Sequence, residues 1–139
     1  MKKLMKVLVP CALESLCNEG IVRPFGAKLN TSGDVLPSLN PVQCGYDLEL
    51  LADEFQHEAK RHSIRAAGLC CETQQLPSHG DEPFHAIHYF FEHERGMSIE
   101  AYQPYKVDAI DGAVELGAMF VRWKEPRIFV ERGTDPART

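Results

Sequence analysis

Three histidines, two adjacent cysteines and a glutamate carry most of the chemistry open to this chain. His85, His88 and His93 fall in one aromatic-rich stretch, FHAIHYFFEHERGMSIEAYQPY, running from Phe84 to Tyr105. Cys70, Cys71 and Glu72 lie a little upstream. Such residues fit two chemistries: a thiol nucleophile with an imidazole base, or a metal centre. Spacing bears on the second. Side chains on a strand alternate between faces, so His85 and His93 share a face with Tyr89 while His88 points the other way. Three ligands on one strand then fail to converge. His57 and His62 are five residues apart on a helix, the wrong rotation for a pair, and no His-Glu-x-x-His occurs. No metal is assigned. With no G-x-G-x-x-G, no P-loop lysine and no calcium loop in HGDEP (His79 to Pro83), no cofactor is assigned either.

The first chemistry depends on register. Ile87, Tyr89 and Phe91 form one face of a strand, and Ala86, His88, Phe90 and Glu92 the other. A three-residue turn, Glu94-Arg95-Gly96, pairs Phe91 with Ile99 and Tyr89 with Ala101, which keeps the apolar faces together; a one-residue slip would invert a face. Gly96 then takes the left-handed position of the turn. If Leu69 and Cys71 face the core with Tyr89 and Phe91, the opposite face carries a row Glu72–His88–Tyr102 above a row Cys70–Phe90–Glu100. Cys70 would then lie diagonal to His88, about 7–8 Å away, with Glu72 orienting the imidazole. That is a candidate catalytic set, Cys70, His88 and Glu72, and the same face is a candidate binding surface of Phe90, His88, Tyr102, Glu100 and Cys70. A strand-borne Cys70 has no helix N-terminus to activate it, and no oxyanion donors are evident, which favours the binding surface.

These strands need elements to position them. A broad apolar face over Lys2–Asn18, with Leu4, Leu8, Cys11 and Ser15 on one stripe and Met5, Leu8, Ala12 and Leu16 on the adjoining one, predicts a first helix, stopped by Gly20. Pro10 either kinks that helix or starts it. Asn30-Thr31-Ser32-Gly33 predicts a turn joining two strands, and Pro37 and Pro41 mark the second as an edge. Asp47 is a credible cap for a second helix burying Leu48, Leu51, Ala52, Phe55 and Ala59; Leu48, Leu51 and Phe55 contribute on the order of 1.5–3 kcal/mol each. Strands follow over Ile64–Gln75, Phe84–His93, Met97–Tyr105 and Ala113–Trp123, with Pro77, Gly80 and Pro83 marking the first loop. Trp123 is expected to cover the core edge, and Arg122, Lys124 and Arg127 to form a small basic cluster. The fold class is therefore α+β: an antiparallel sheet, made of an N-terminal hairpin and a C-terminal meander, packed with two helices. This order of elements is similar to that of roadblock, longin or profilin-like domains. One domain is expected over 1–125, with 126–139 an extension or tail.

Bulk properties narrow the function. The chain has 139 residues, 44% hydrophobic and 25% charged, with formal net charge −5. That composition is globular and carries no basic stripe for nucleic acid. No apolar run reaches the roughly 18 residues of a membrane helix, and Lys6 breaks the N-terminal run that imitates a signal peptide. Five cysteines, an odd number without an export signal, fit reduced thiols in a cytoplasm. The leading expectation is a small cytoplasmic, non-enzymatic binding or assembly module. It is homodimeric, because a face with Phe90, Cys70, Ala66, Gly68 and Tyr102 is too apolar to be wholly wet, and a protein or small molecule is a further partner. The rivals are a small enzyme using Cys70, His88 and Glu72, and a pocket protein binding a small ligand.

Overall fold

In the computed structural model, residues 2–20, 22, 24–38, 48–73, 85–108 and 110–130 are described. Asp47, Pro41, Cys44, the loop marked by Pro77, Gly80 and Pro83, and residues 131–139 lie outside them.

Helix α1 runs Lys2–Glu19 without a break. Leu4, Leu8, Ala12 and Leu16 recur every four residues and are all sealed, one side of a 3.6-residue repeat. Pro10 sits inside the helix rather than at its start. It falls on the exposed side, as does Lys6, whose carbonyl it cannot satisfy. Gly20 ends the helix at φ +77°, donating its N–H to the Leu16 carbonyl at 2.8 Å.

Strands β1 (Phe25–Asn30) and β2 (Val35–Ser38) form the expected hairpin. Asn30 closes it: its Oδ1 accepts the N–H groups of Ser32 and Asp34, at 3.0 and 2.9 Å. Helix α2 (Leu48–Lys60) follows, burying Leu51, Ala52 and Phe55. Then come β3 (Ile64–Thr73), β4 (Ala86–His93), β5 (Ser98–Val107), β6 (Val114–Leu116) and β7 (Phe120–Trp123). They build one antiparallel sheet ordered β2-β1-β3-β4-β5, with β6 and β7 sharing the outer edge of β5. The class is α+β, as expected. β2 is an edge strand, as Pro37 implies.

The helices lie on opposite faces. Leu4, Leu8, Ala12 and Leu16 of α1 pack with Ala27, Ala66, Cys70, Tyr89 and Phe91. Leu51, Ala52 and Phe55 of α2 pack with the alternate residues Ala67 and Leu69, and with Ile128 and Phe129 beyond β7. Past the expected domain limit at residue 125, the chain thus stays packed on the core through these two side chains.

Pro104 shapes the outer edge. Tyr105 donates its N–H to the His85 carbonyl across β4, so its neighbour Pro104 faces the β6–β7 side. The Pro104 carbonyl accepts the N–H of Gly117 at 2.8 Å, but Pro104 has no N–H to return. The side-chain amide of Gln103 donates to the Gly117 carbonyl instead. Tyr105 pairs with Leu116, yet Tyr102 pairs with Phe120, so one extra residue is inserted opposite β5 here. It is a bulge, and it separates β6 from β7.

Candidate functional site

The β4–β5 register is the expected one: Phe91 pairs with Ile99, Tyr89 with Ala101, His88 with Tyr102 and Phe90 with Glu100. Gly96 occupies the turn at φ +101°. The β3 register is not. Cys70 pairs with Tyr89, Cys71 with His88, Leu69 with Phe90 and Glu72 with Ile87. Cys70 and Glu72 therefore share the face of Tyr89, opposite His88, and the catalytic set Cys70, His88 and Glu72 does not assemble. Cys70 is sealed in the α1 core, where burial first, then Cys71 and Cys11, push its thiol well above its ordinary value. Glu72 accepts the N–H of Val22 at 3.1 Å, with His85 Nδ1 3.5 Å from its other oxygen. Ala66 and Gly68, expected on the binding face with Cys70, are likewise under α1. The thiol facing His88 is Cys71, displaced from the expected one by a single residue.

The other four expected binding residues do meet, on the α2 side of β4 and β5. Their rings form a row. The His88 imidazole lies between Phe90 and Tyr102, with centroids 4.1 and 4.2 Å away. Phe120 stacks on Tyr102 at 5.2 Å. The Arg122 guanidinium stands 5.5 Å over Tyr102, and the Lys124 amine 5.3 Å over Phe90, both within reach of a ring quadrupole. Glu100 ties the row together: it accepts from His88 Nε2 at 2.8 Å, Arg122 Nε at 2.7 Å and the Tyr102 hydroxyl at 3.3 Å. Burial alone would raise the Glu100 carboxyl, but the hydrogen bonds from Arg122 and His88 outweigh it and hold it below its usual range. For His88, burial wins over the attraction of Glu100 and holds the imidazole below its ordinary value. The ring is then neutral at pH 7, with its proton on the Nε2 that faces the carboxylate.

Beside it lies a cleft of about 590 Å³ between α2 and the segment after β7. Helix α2 covers β1 and β3, so Ala52 forms one wall, Leu69, Cys71 and Phe90 the floor, and Lys124, Pro126 and Arg127 the far side. Of the expected binding residues, Phe90 alone lines it. Burial, with Glu72 second, pushes the Cys71 thiol up to about 11, so it is a protonated, weakly nucleophilic group at neutral pH.

Chain comparison adds no relative: no protein-family model, no curated protein and no solved structure matches. The likeness in element order to roadblock, longin or profilin-like domains gains no support from these comparisons.

The far side of the cleft was the least legible. Glu92 is buried to 1% exposure and accepts three backbone N–H groups, from Arg127 at 2.7 Å, Ile128 at 2.8 Å and Phe129 at 3.0 Å. It thereby anchors the chain after β7 against the sheet. Read from the strand alone, Glu92 is a wet residue on the outer face. The apolar pair Ile128-Phe129 in a polar stretch was the available signal. The basic cluster of Arg122, Lys124 and Arg127 is dispersed among acids: Arg122 on Glu100, Lys124 3.6 Å from Glu92, and Arg127 on Glu49 and Asp53 at 3.0 and 2.6 Å. Trp123 does not cover the core edge; it is 62% exposed. Among the described residues no three His, Cys, Asp or Glu side chains gather as metal ligands, and no helix is long and apolar enough to cross a membrane.

Proposed function

We propose that this chain is a non-enzymatic binding module that takes an apolar or aromatic group into the cleft beside α2. The carrying observation is the cleft itself: about 590 Å³, floored by Leu69, Cys71 and Phe90. Its volume falls in the range of small-molecule sites, which are mostly apolar with a few polar groups at the rim. The rim selects against anions. Glu49, Glu92 and Glu125 outnumber Lys124 and Arg127 there, and both cations already face carboxyl groups. A neutral or cationic ligand, free or on a peptide, fits best. The thiol on the floor supports binding over catalysis, since burial keeps it protonated. Residence in a reducing compartment, the cytoplasm, belongs to the same proposal; the unpaired thiols of Cys11, Cys17, Cys70 and Cys71 support it.

The neutral dye Nile red tests the cleft. Its emission is expected to rise and shift to the blue on titration with the protein, saturating at equal stoichiometry. Cys71→Phe fills the floor and should weaken the dye by at least about tenfold, with the far-UV circular dichroism unchanged. Absence of saturable binding, or equal binding by the folded variant, would overturn the reading.

A further inference from the structure

We infer that a second copy of this chain docks on the edge of β7 turned away from β5, joining two sheets antiparallel about a two-fold axis at Val121. The face first expected to receive a second copy is divided between α1, over Cys70, Ala66 and Gly68, and the ring row. Among the described residues β7 pairs only with β5, and no described strand pairs with its other edge at Val121 and Trp123. Unpaired edges template strand addition unless proline, inward charge or a cover blocks them. β7, Phe120-Val121-Arg122-Trp123, has no proline.

The outward backbone groups can be identified. Lys124 donates its N–H to the Ser98 carbonyl at 3.2 Å, continuing the β5–β7 register in which Arg122 faces Glu100 and Phe120 faces Tyr102. Bonding alternates along an antiparallel pair, so Phe120, Arg122 and Lys124 bond inward to β5. Val121 and Trp123 point their N–H and C=O groups out to the other edge. Their side chains, 52% and 62% exposed, lie on the same sheet face as Ile99, and the exposed Met97 is nearby in sequence.

Charge then chooses the register. A two-fold axis perpendicular to the sheet keeps each face continuous and opposes residues of like parity. Three such registers bring outward groups together; the one centred on Trp123 sets Arg122 against the partner's Lys124, like charges, which leaves two. One is centred on Arg122 and sets its guanidinium against the partner's Arg122 in a closely spaced pair, a like-charge contact. The other is centred on Val121. It opposes Val121 to the partner's Val121 through paired backbone bonds and Trp123 to the partner's Met119. Phe120 then meets the partner's Arg122, a ring against a cation. Only the Val121 register avoids the repulsion, and it merges the two exposed Val121–Trp123 patches on one face.

Sedimentation equilibrium of the full chain at about 100 µM should give twice the 15.6 kDa chain mass, with dissociation on dilution. Val121→Lys places like charges on the axis and should leave a monomer with an unchanged circular dichroism spectrum. In a Cys11→Ser, Cys17→Ser background, Val121→Cys should cross-link under mild oxidant and Arg122→Cys should not, because Cα atoms of a hydrogen-bonded pair stand about 5.5 Å apart, within disulfide reach. A wild-type monomer at that concentration, a Val121→Lys dimer, or cross-linking through position 122 in place of 121 would overturn the inference. Nile red binding is scored separately, so failure of the dimer and failure of the cleft are distinguishable.

Discussion

Tyr89 buries its ring to 1% exposure and leaves its hydroxyl without a hydrogen-bond partner. A buried hydroxyl so placed costs roughly 1–3 kcal/mol of desolvation. Tyr89→Phe keeps the ring volume and its stacking on Phe91, so it should stabilise the fold by about 1 kcal/mol, read as a higher urea midpoint at constant slope. His88 gives a pH signature. Burial holds the folded imidazole below the ordinary value of 6.5, so the unfolded chain binds the proton more readily. The stability from this group is complete above pH 6.5 and falls as pH drops through the lower, folded value. The urea midpoint should therefore decline below pH 6.5, and His88→Gln should flatten the decline. His93, also held low by burial, leaves a residual slope. At this scale the sequence was readable where polarity differed between neighbours. His88, Phe90, Glu100 and Tyr102 were legible as one cluster because Ile87, Tyr89 and Phe91 contrast with them. Cys70 and Cys71 offer no such contrast, and a one-residue error in phase exchanged a sealed thiol for the one that faces His88.

The elements explain that error. β3 is central, and Ala66, Ala67, Leu69 and Cys70 are all buried because helices cover both faces of the sheet. A strand covered on both sides reads as a continuous apolar run and carries no alternation to phase it. The β4–β5 hairpin, by contrast, has its register fixed by a short turn with Gly96. Gly68 shows how tightly the layers meet: a Cβ there would stand 2.4 Å from Leu8 Cδ1 of α1 and 3.1 Å from the Phe91 ring. Gly68→Ala must push α1 off the sheet or drive Leu8 from its rotamer, and should cost about 1–3 kcal/mol. Restoring space with Leu8→Ala in the same chain should cost less than the two single effects added, a coupling of at least about 0.5 kcal/mol, measured by a denaturation cycle. Additive costs would mean that the helix does not sit this close. Pro10 fits the same picture. Sequence left its role open because a proline is costly only where its missing hydrogen bond is buried, and that depends on which side of α1 faces the sheet.

Across the whole molecule, Glu92 ties the segment after β7 to the sheet and the α2 core. A carboxyl group in the outer face of β4 accepts the N–H groups of Arg127, Ile128 and Phe129, while Ile128 and Phe129 complete the α2 core. A long-range polar anchor of this kind leaves no local sequence pattern, which is why neither the packing of Ile128 and Phe129 nor the cleft beside them was legible in the sequence. Each half of the anchor should be costly to remove. Ile128→Ala leaves a cavity against Leu51 and Phe55, worth about 2–5 kcal/mol. Glu92→Gln weakens charge-assisted bonds to three donors, worth about 1.5–3 kcal/mol. Against a total of roughly 5–15 kcal/mol for a domain, either is a large fraction. The decisive quantity is their interaction. If Glu92 stabilises mainly by seating Ile128 and Phe129, then once Ile128 is truncated the segment is already loosened and Glu92→Gln should cost about 1 kcal/mol less than in the wild type. The cleft borders the same segment at Pro126 and Arg127, so Nile red affinity should fall in step with each single variant while cross-linking at Val121 stays unchanged. Strict additivity in the urea cycle, or dye binding indifferent to both substitutions, would show the segment to be a passenger on the fold and not the wall of its binding site.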